Sequence, residues 1–473
     1  MGRASAARTS DDLRDFEADL RRVLQRVQRS SPFVEVMAQQ SRGESVEIDS
    51  KSLSTVKTPR LAGAVFRAWA GARWIEAAAS GFDPRALDGA AEGLESQLSS
   101  IAVGTSPPGP ASTTVGVSDK SPARPMRDLG LERSVEFVRE ALGWVTSVPS
   151  IKYGQALIGW SEEERYYLNT AGANCYQRIP RVRAVVVPVA TENGKSEFNV
   201  LHVGSLGGQE VLDGVTQEKA LQTANEARAL LAAKSPPSGS MRVVLDPGVT
   251  GTFAHESFGH GTEADQFVRE RSYLQPLLGQ MVGPESLTLV DDGSIPGAWG
   301  SIPFDDEGHP GQRTPLIEKG RFVGALHDRE TAAVLRARPT GNTRRADFMS
   351  RAFVRMTNTL IEPSDWTLDE LVEEARDGVV LEQWLSGMED PLGGRMQLKV
   401  HQGHRIEHGK RTELVSSMAL SGSVLEFLRE IRGIGEATGS TIDSGYCGKG
   451  HGDYLPVGDG GVYVLSQAVV GPA

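Results

Sequence analysis

The chain has 473 residues, a formal net charge of −11 and two cysteines, Cys175 and Cys447. That length spans more than one domain and can bury a sizeable core. The acidic balance makes nucleic acid and anionic membranes poor partners, and two cysteines exclude a disulfide-stapled secreted fold. Leu13, Phe16, Leu20, Val23, Leu24 and Val27 recur at helical spacing within residues 11–30, which predicts an amphipathic helix. Residues 33–80 read as short strands, with Val46 and Ile48 alternating against Glu47 and Asp49. Phe82 to Ile101 reads as a second helix, and the Pro-, Ser- and Gly-rich stretch 106–125 as a surface loop. Leu131 to Val145 predicts a helix, 151–203 strands, and Thr216 to Ala233 another helix.

Ser235-Pro-Pro-Ser-Gly239 marks the expected domain boundary. It divides a mixed α/β N-terminal domain, 1–234, from a β-rich C-terminal domain, 235–473, an α+β chain overall. The second part opens with a strand, a turn and a short helix carrying histidines. Strand-like pieces follow at 287–290, 321–326 and 352–361, and 367–379 reads as a helix with Gly378 as its C-cap. Met1 to Leu20 contains no apolar h-region, and apolar runs such as Ala184–Val187 are far too short to span a bilayer. The expected location is the cytoplasm.

His255-Glu256-Ser257-Phe258-Gly259-His260 carries the chemistry. Two imidazoles suit a zinc ion, which lowers the pKa of a bound water. The neighbouring carboxylate can take that proton and return it to a leaving amine. On an ideal α-helix residues five apart diverge by about 140°, so two such ligands converge only if the helix ends or bulges between them. Gly259 is placed to allow this. Catalytic zinc usually takes a third protein ligand. Candidates are Cys447 in a glycine-crowded loop, His401, His404 and His408 around a hairpin turn, His451, Glu263 and Asp265. The three hairpin histidines also read as solvated turn residues, and Cys175, with no acid or histidine beside it in sequence, reads as structural.

Four segments together resemble the TldD/PmbA family of metalloproteases: AHESFGHGTEAD (254–265), FDDEGHPGQRTPLIEKGRFVGALHDR (304–329), FVRMTNTLIEPSDWTLDELVEEARDGV (353–379) and YCGKG (446–450). The HExxxH signature points to the catalytic TldD-like branch. The resemblance implies a zinc peptidase with His255, His260 and Cys447 as ligands and Glu256 as catalytic base. It implies unfolded peptides as substrates and a PmbA-like partner subunit in a heterodimer, or a second copy in a homodimer. Two alternatives stand beside it. One is a dedicated amide hydrolase in a peptide or small-molecule biosynthetic pathway, with the extra histidines shaping its pocket. The other is a non-catalytic subunit with a structural metal. His451-Gly452-Asp453-Tyr454, after CGKG, departs from the family pattern and bears on specificity.

Overall fold

The structure, a computed structural model, describes residues 10, 12–51, 54–71, 73–101, 107, 109–449 and 453–473. His451 lies outside the described residues. The N-terminal half is built on a nine-stranded sheet. Its central strands are long, Val34–Asp49, Ile151–Asn169 and Asn174–Glu192, and pair antiparallel along nearly their whole length. Alternating side chains put their apolar residues on one face. One end of that face is covered by helices Glu17–Val27 and Pro84–Leu98, packed around Phe66, Tyr166 and Leu168. The other end is covered by Leu131–Thr146 and Gln217–Leu230, packed around Ala156, Ile158 and Val186. Asp83 and Thr216 cap two of these helices, each accepting a backbone N–H three residues on.

The C-terminal half holds two six-stranded sheets. In one, Gly239–Leu245 pairs with both Gly378–Glu389 and Val464–Pro472, which closes five strands into a ring. In the other, the order runs Arg321–Phe322, Arg313–Glu318, Leu289–Asp292, Asn358–Ile361, Asp453–Gly461, Thr441–Lys449, with the last strand on the edge. A continuous apolar cluster, including Phe253, Phe258, Leu289, Ile361, Leu398 and Val464, fills the space between them. The α+β class is observed, and the two halves carry strand in nearly equal measure. Among the described residues no helix is long and apolar enough to cross a membrane.

Several local expectations change. The 106–125 stretch carries a strand, Val115–Asp119, that pairs in parallel with 174–178. The pairing satisfies its backbone although both valines stay exposed. The 352–361 run breaks into Phe353–Val354 and Asn358–Ile361, because the Thr357 N–H turns to Asp291. The 321–326 run forms a strand only at Arg321–Phe322. Helix Leu368–Ala375 has a Thr367/Glu370 capping box but ends at Arg376, which adopts φ +60. Gly378 is not its cap: it starts a strand, where a methyl group would come within 2.1 Å of the Arg242 carbonyl.

The acids of the 304–309 loop join the two halves. Asp306 takes two hydrogen bonds from Arg165, at 2.6 and 2.7 Å. Glu307 accepts from Arg67 at 2.6 Å and from the Arg329 N–H at 2.9 Å. Asp305 folds the loop on itself, accepting backbone N–H groups from Glu307, His309 and Thr343.

Candidate metal centre

Asp246 begins the helix that positions the histidines. Its Oδ1 accepts the Val249 N–H at 2.7 Å, and Pro247 occupies the first turn, where no donor is missed. The helix Pro247–Thr252 then widens into a π-helix, Phe253–Gly259. The N–H of His260 donates to the carbonyl of His255, an i→i+5 bond. A π-turn stacks residues five apart as an α-turn stacks residues four apart. The required bulge is thus present, and it brings the two rings to 5.1 Å. Phe253 packs on Phe427 and Phe258 on Phe322, which buries the apolar back of the turn. Gly259 has another role than the expected one. Its backbone is ordinary helix, φ −57, but a methyl group there would approach Met356 Sδ to 2.2 Å. Gly387, in the strand Gly378–Glu389, does the same for Glu256, whose Cγ would lie 2.7 Å from a methyl group.

Cys447 is not in a loop. It sits on the edge strand Thr441–Lys449, paired opposite Leu455. Its Sγ lies 3.1 Å from His260 Nε2. One donor atom each from His255, His260 and Cys447 fall within 4.8 Å of one another. His255 Nε2 is buried with no hydrogen-bond partner among the described residues. An orphaned imidazole nitrogen beside a second imidazole and a thiol fits a soft-to-borderline cation such as zinc. Glu256 Oε2 lies 3.9 Å from His260 Nε2 and keeps partial exposure.

The electrostatics follow from this crowding. Burial opposes ionisation of the Cys447 thiol, yet His255 and His260 overcome it and draw it down to about 5. Burial opposes the charged form of His260, but Glu263 and Cys447 lift it to about 10. His255 is raised as well against its burial, chiefly by Asp459. Glu256 is raised by burial, with the two histidines pulling back. A carboxylate moved toward neutrality is a better base at working pH.

The other candidate ligands lie elsewhere. Glu263 and Asp265 both bind Lys449 Nζ, at 2.8 Å each. His401 is buried, stacked on Phe198 with its Nε2 2.6 Å from the Phe198 carbonyl, so it is not a solvated turn residue. His404 pairs with Glu382 at 3.0 Å, and His408 occupies the turn itself at φ +52. Cys175 is structural: its Sγ lies 3.3 Å from the Thr114 carbonyl, and burial pushes the thiol up to about 12.

Three residues of the site, Asp459, Arg355 and Glu389, escape sequence reasoning, and Glu263, a candidate ligand in the sequence, takes a different place. Asp459 Oδ1 lies 2.7 Å from His255 Nδ1. Glu263 Oε2 lies 3.6 Å from His260 Nδ1. Arg355 donates from Nη2 to the Cys447 carbonyl at 2.7 Å. Glu389 follows Gly387 on the same strand face, and both its oxygens are buried without a hydrogen-bond partner among the described residues.

Two imidazoles, a thiol and a free carboxylate around one point are the donor set of a metal-dependent hydrolase. The profile of the PmbA/TldA metallopeptidase central domain matches residues 124–234, and that of the C-terminal domain matches 238–462. A metalloprotease of Methanothermobacter thermautotrophicus is 32% identical over 455 residues, covering 95% of this chain and 97% of that protein. One from Archaeoglobus fulgidus is 35% identical over 354 residues, 74% of this chain and 80% of the relative. A zinc metalloprotease TldD homolog of Saccharolobus solfataricus is 32% identical over 235 residues, 50% and 52% of the two chains. The fold is also that of TldE from Thermococcus kodakarensis, with a TM-score of 0.75 at 17% identity over 96% of this chain and all of that one. The chain belongs to the PmbA/TldD family and is a metallopeptidase.

Proposed function

We propose that this chain is a zinc-dependent peptidase of the catalytic TldD type, with His255, His260 and Cys447 as ligands and Glu256 as general base. The observation that supports this reading best is the convergence of the three donor atoms within 4.8 Å, with the Glu256 carboxylate beside them. A bound zinc ion supplies an acidified water and a polarised amide carbonyl. Glu256 takes a proton from the attacking water and returns it to the leaving amine. Asp459 Oδ1 and Glu263 Oε2 lie 2.7 and 3.6 Å from Nδ1 of His255 and His260 as charge partners, leaving Nε2 of each for the ion.

The substrate is an unfolded peptide that adds to the edge strand Thr441–Lys449, where main-chain pairing gives affinity without reading side chains. The domain carrying the chemistry is 235–473, with 1–234 as its support. The site is completed by a PmbA-like subunit in a heterodimer or by a second copy, in the cytoplasm. The alternative of a dedicated amide hydrolase rested on His401, His404, His408 and His451; the first three lie beside Phe198, beside Glu382 and in the hairpin turn, and His451 lies outside the described residues.

Metal analysis and a peptide-cleavage assay, with and without a PmbA-like partner, test the reading. Glu256→Ala is expected to keep full zinc content and lose roughly 10²–10⁴-fold in hydrolysis. Undiminished cleavage by that variant would overturn the assignment of Glu256.

A further inference from the structure

The two imidazoles are braced differently. Asp459 touches His255 from the neighbouring strand Asp453–Gly461 and makes that one contact with the ligand set. Glu263 faces both ways. It follows His260 by three residues, at the end of the short turn His260–Thr262, and is itself fully buried. Its Oε2 lies 3.6 Å from His260 Nδ1 and accepts from Lys449 Nζ at 2.8 Å. Its Oε1 lies 3.6 Å from Arg355 Nε.

Both cations belong to the support of Cys447. Lys449 is two residues further along the same strand, so it projects from the same face as the cysteine. It also donates to Asp265 Oδ1 at 2.8 Å and to the Val354 carbonyl at 3.1 Å. Arg355 uses Nη2 to hold the Cys447 carbonyl at 2.7 Å. One carboxylate therefore connects the imidazole of His260 to two side chains that fix the strand carrying the thiol. Among the described residues the edge strand has no partner strand on its outer side within the sheet. These side-chain ties supply what a second strand would otherwise supply.

From this geometry we infer that Glu263 is a positioning residue that couples His260 to Cys447, whereas Asp459 sets His255 alone. The inference rests on the ligand assignment proposed above. Outer partners of metal ligands are worth roughly 10–100-fold in metal affinity when removed. The two acids differ in what else is lost. Without Glu263 the thiol-bearing strand loses its tie to the π-helix, so the ion loses its sulfur as well as a well-oriented imidazole.

The test uses the full chain, stripped with chelator, checked by circular dichroism, and titrated with Co2+ and then Zn2+. A thiolate-to-cobalt absorption band reports Cys447 ligation independently of activity. Glu263→Gln is expected to weaken binding roughly 10–100-fold and to lose the thiolate band at saturating Co2+. Asp459→Asn is expected to weaken binding by a similar factor with the band intact. Unchanged affinity and band in Glu263→Gln overturn the inference, as does loss of the band in Asp459→Asn. If Glu263→Gln does not fold, Arg355→Met gives the same reading. A thioether side chain donates to neither Glu263 nor the Cys447 carbonyl, so the band is expected to fade, and a full band overturns the coupling. A wild-type protein that binds Co2+ without the band overturns the ligand assignment itself, which is a separate result.

Discussion

Two regions of this molecule bury charge densely, and they do so to opposite ends. In the layer around 304–309, Asp306 is met by Arg165, Glu307 by Arg67, and Glu163 by both Arg165 and Arg181, and the buried atoms without a hydrogen-bond partner among the described residues, His309 Nε2 and Arg329 Nη2, are nitrogens rather than carboxylate oxygens. Burial would raise the Glu163 carboxyl, but the two guanidinium groups outweigh it and hold it at about 2. Around the histidines, polar atoms are left over: His255 Nε2, Ser257 Oγ and both oxygens of Glu389 have no hydrogen-bond partner among the described residues. A fully paired buried network makes a structure specific, and a partly paired one leaves capacity for something else to bind. The first layer joins the two halves, and the second awaits an ion and a substrate.

Substitutions on either side sharpen that contrast. The largest effect is expected from Cys447→Ala, which removes a proposed ligand. Stoichiometric zinc and hydrolysis should both disappear, while calorimetry of the unloaded protein stays near wild type. Retained zinc would show that the cysteine is not needed for the ion. Arg165→Met should do the reverse. It leaves Asp306 and Glu163 buried with a partner missing, at a cost of about 3–5 kcal/mol in denaturant unfolding, and zinc affinity per folded molecule should hold. A milder loss would mean that the Arg345 backbone N–H, which donates to Asp306 at 2.7 Å, and the Arg181 guanidinium beside Glu163 suffice.

Next comes the pH dependence of loading. Both histidines carry raised pKa values, His260 to about 10, so at neutral pH they hold protons that an ion must displace. The thiol, near 5, has already lost its own. Zinc affinity should therefore fall as pH drops from 8 to 6, by up to ~100-fold per unit if both protons leave. Competition against a chelator at each pH measures this, and a flat profile would show that the imidazoles are neutral before binding. The smallest effect is expected at Glu389. Burial, assisted by Glu256 and Glu263 and opposed by His260, lifts its carboxyl to about 8, so it is protonated at neutral pH. Glu389→Gln should then change kcat/KM by less than about twofold at pH 7. A tenfold loss would show that the ionised form is the working one.

The site was legible where its chemistry lies close in sequence. His255, Glu256 and His260 announce themselves, and their five-residue spacing forces a bulge that the π-helix supplies. Cys447 came through the family resemblance. Asp459 was not legible, because its contact to His255 is made between a helix and a strand near the opposite end of the chain, and an aspartate among glycines carries no mark of that. Gly259 shows the other limit. Its need is set by Met356 across the core, and sequence reasoning assigned it to backbone freedom instead. The amphipathic helices of the N-terminal half read well because their apolar period is regular, whereas residues 34–49, expected as short strands, form one long strand. The 352–361 run reads poorly, because the buried Asp291 side chain takes the Thr357 N–H that a strand would use.

The π-helix also bears on how this motif relates to the shorter HExxH form. An i→i+5 turn is an α-turn with one residue inserted, and the inserted residue leaves the relative bearing of the two imidazoles almost unchanged. Deleting one residue between Glu256 and His260 would restore ordinary helix and keep both rings on one side. The cost would fall downstream, where everything after the deletion would rotate and retreat by one position. Glu263 and Asp265 would then no longer meet Lys449. The extra residue thus acts as a phase adjustment, letting one helix serve the ion at one end while its continuation stays in step with a distant strand.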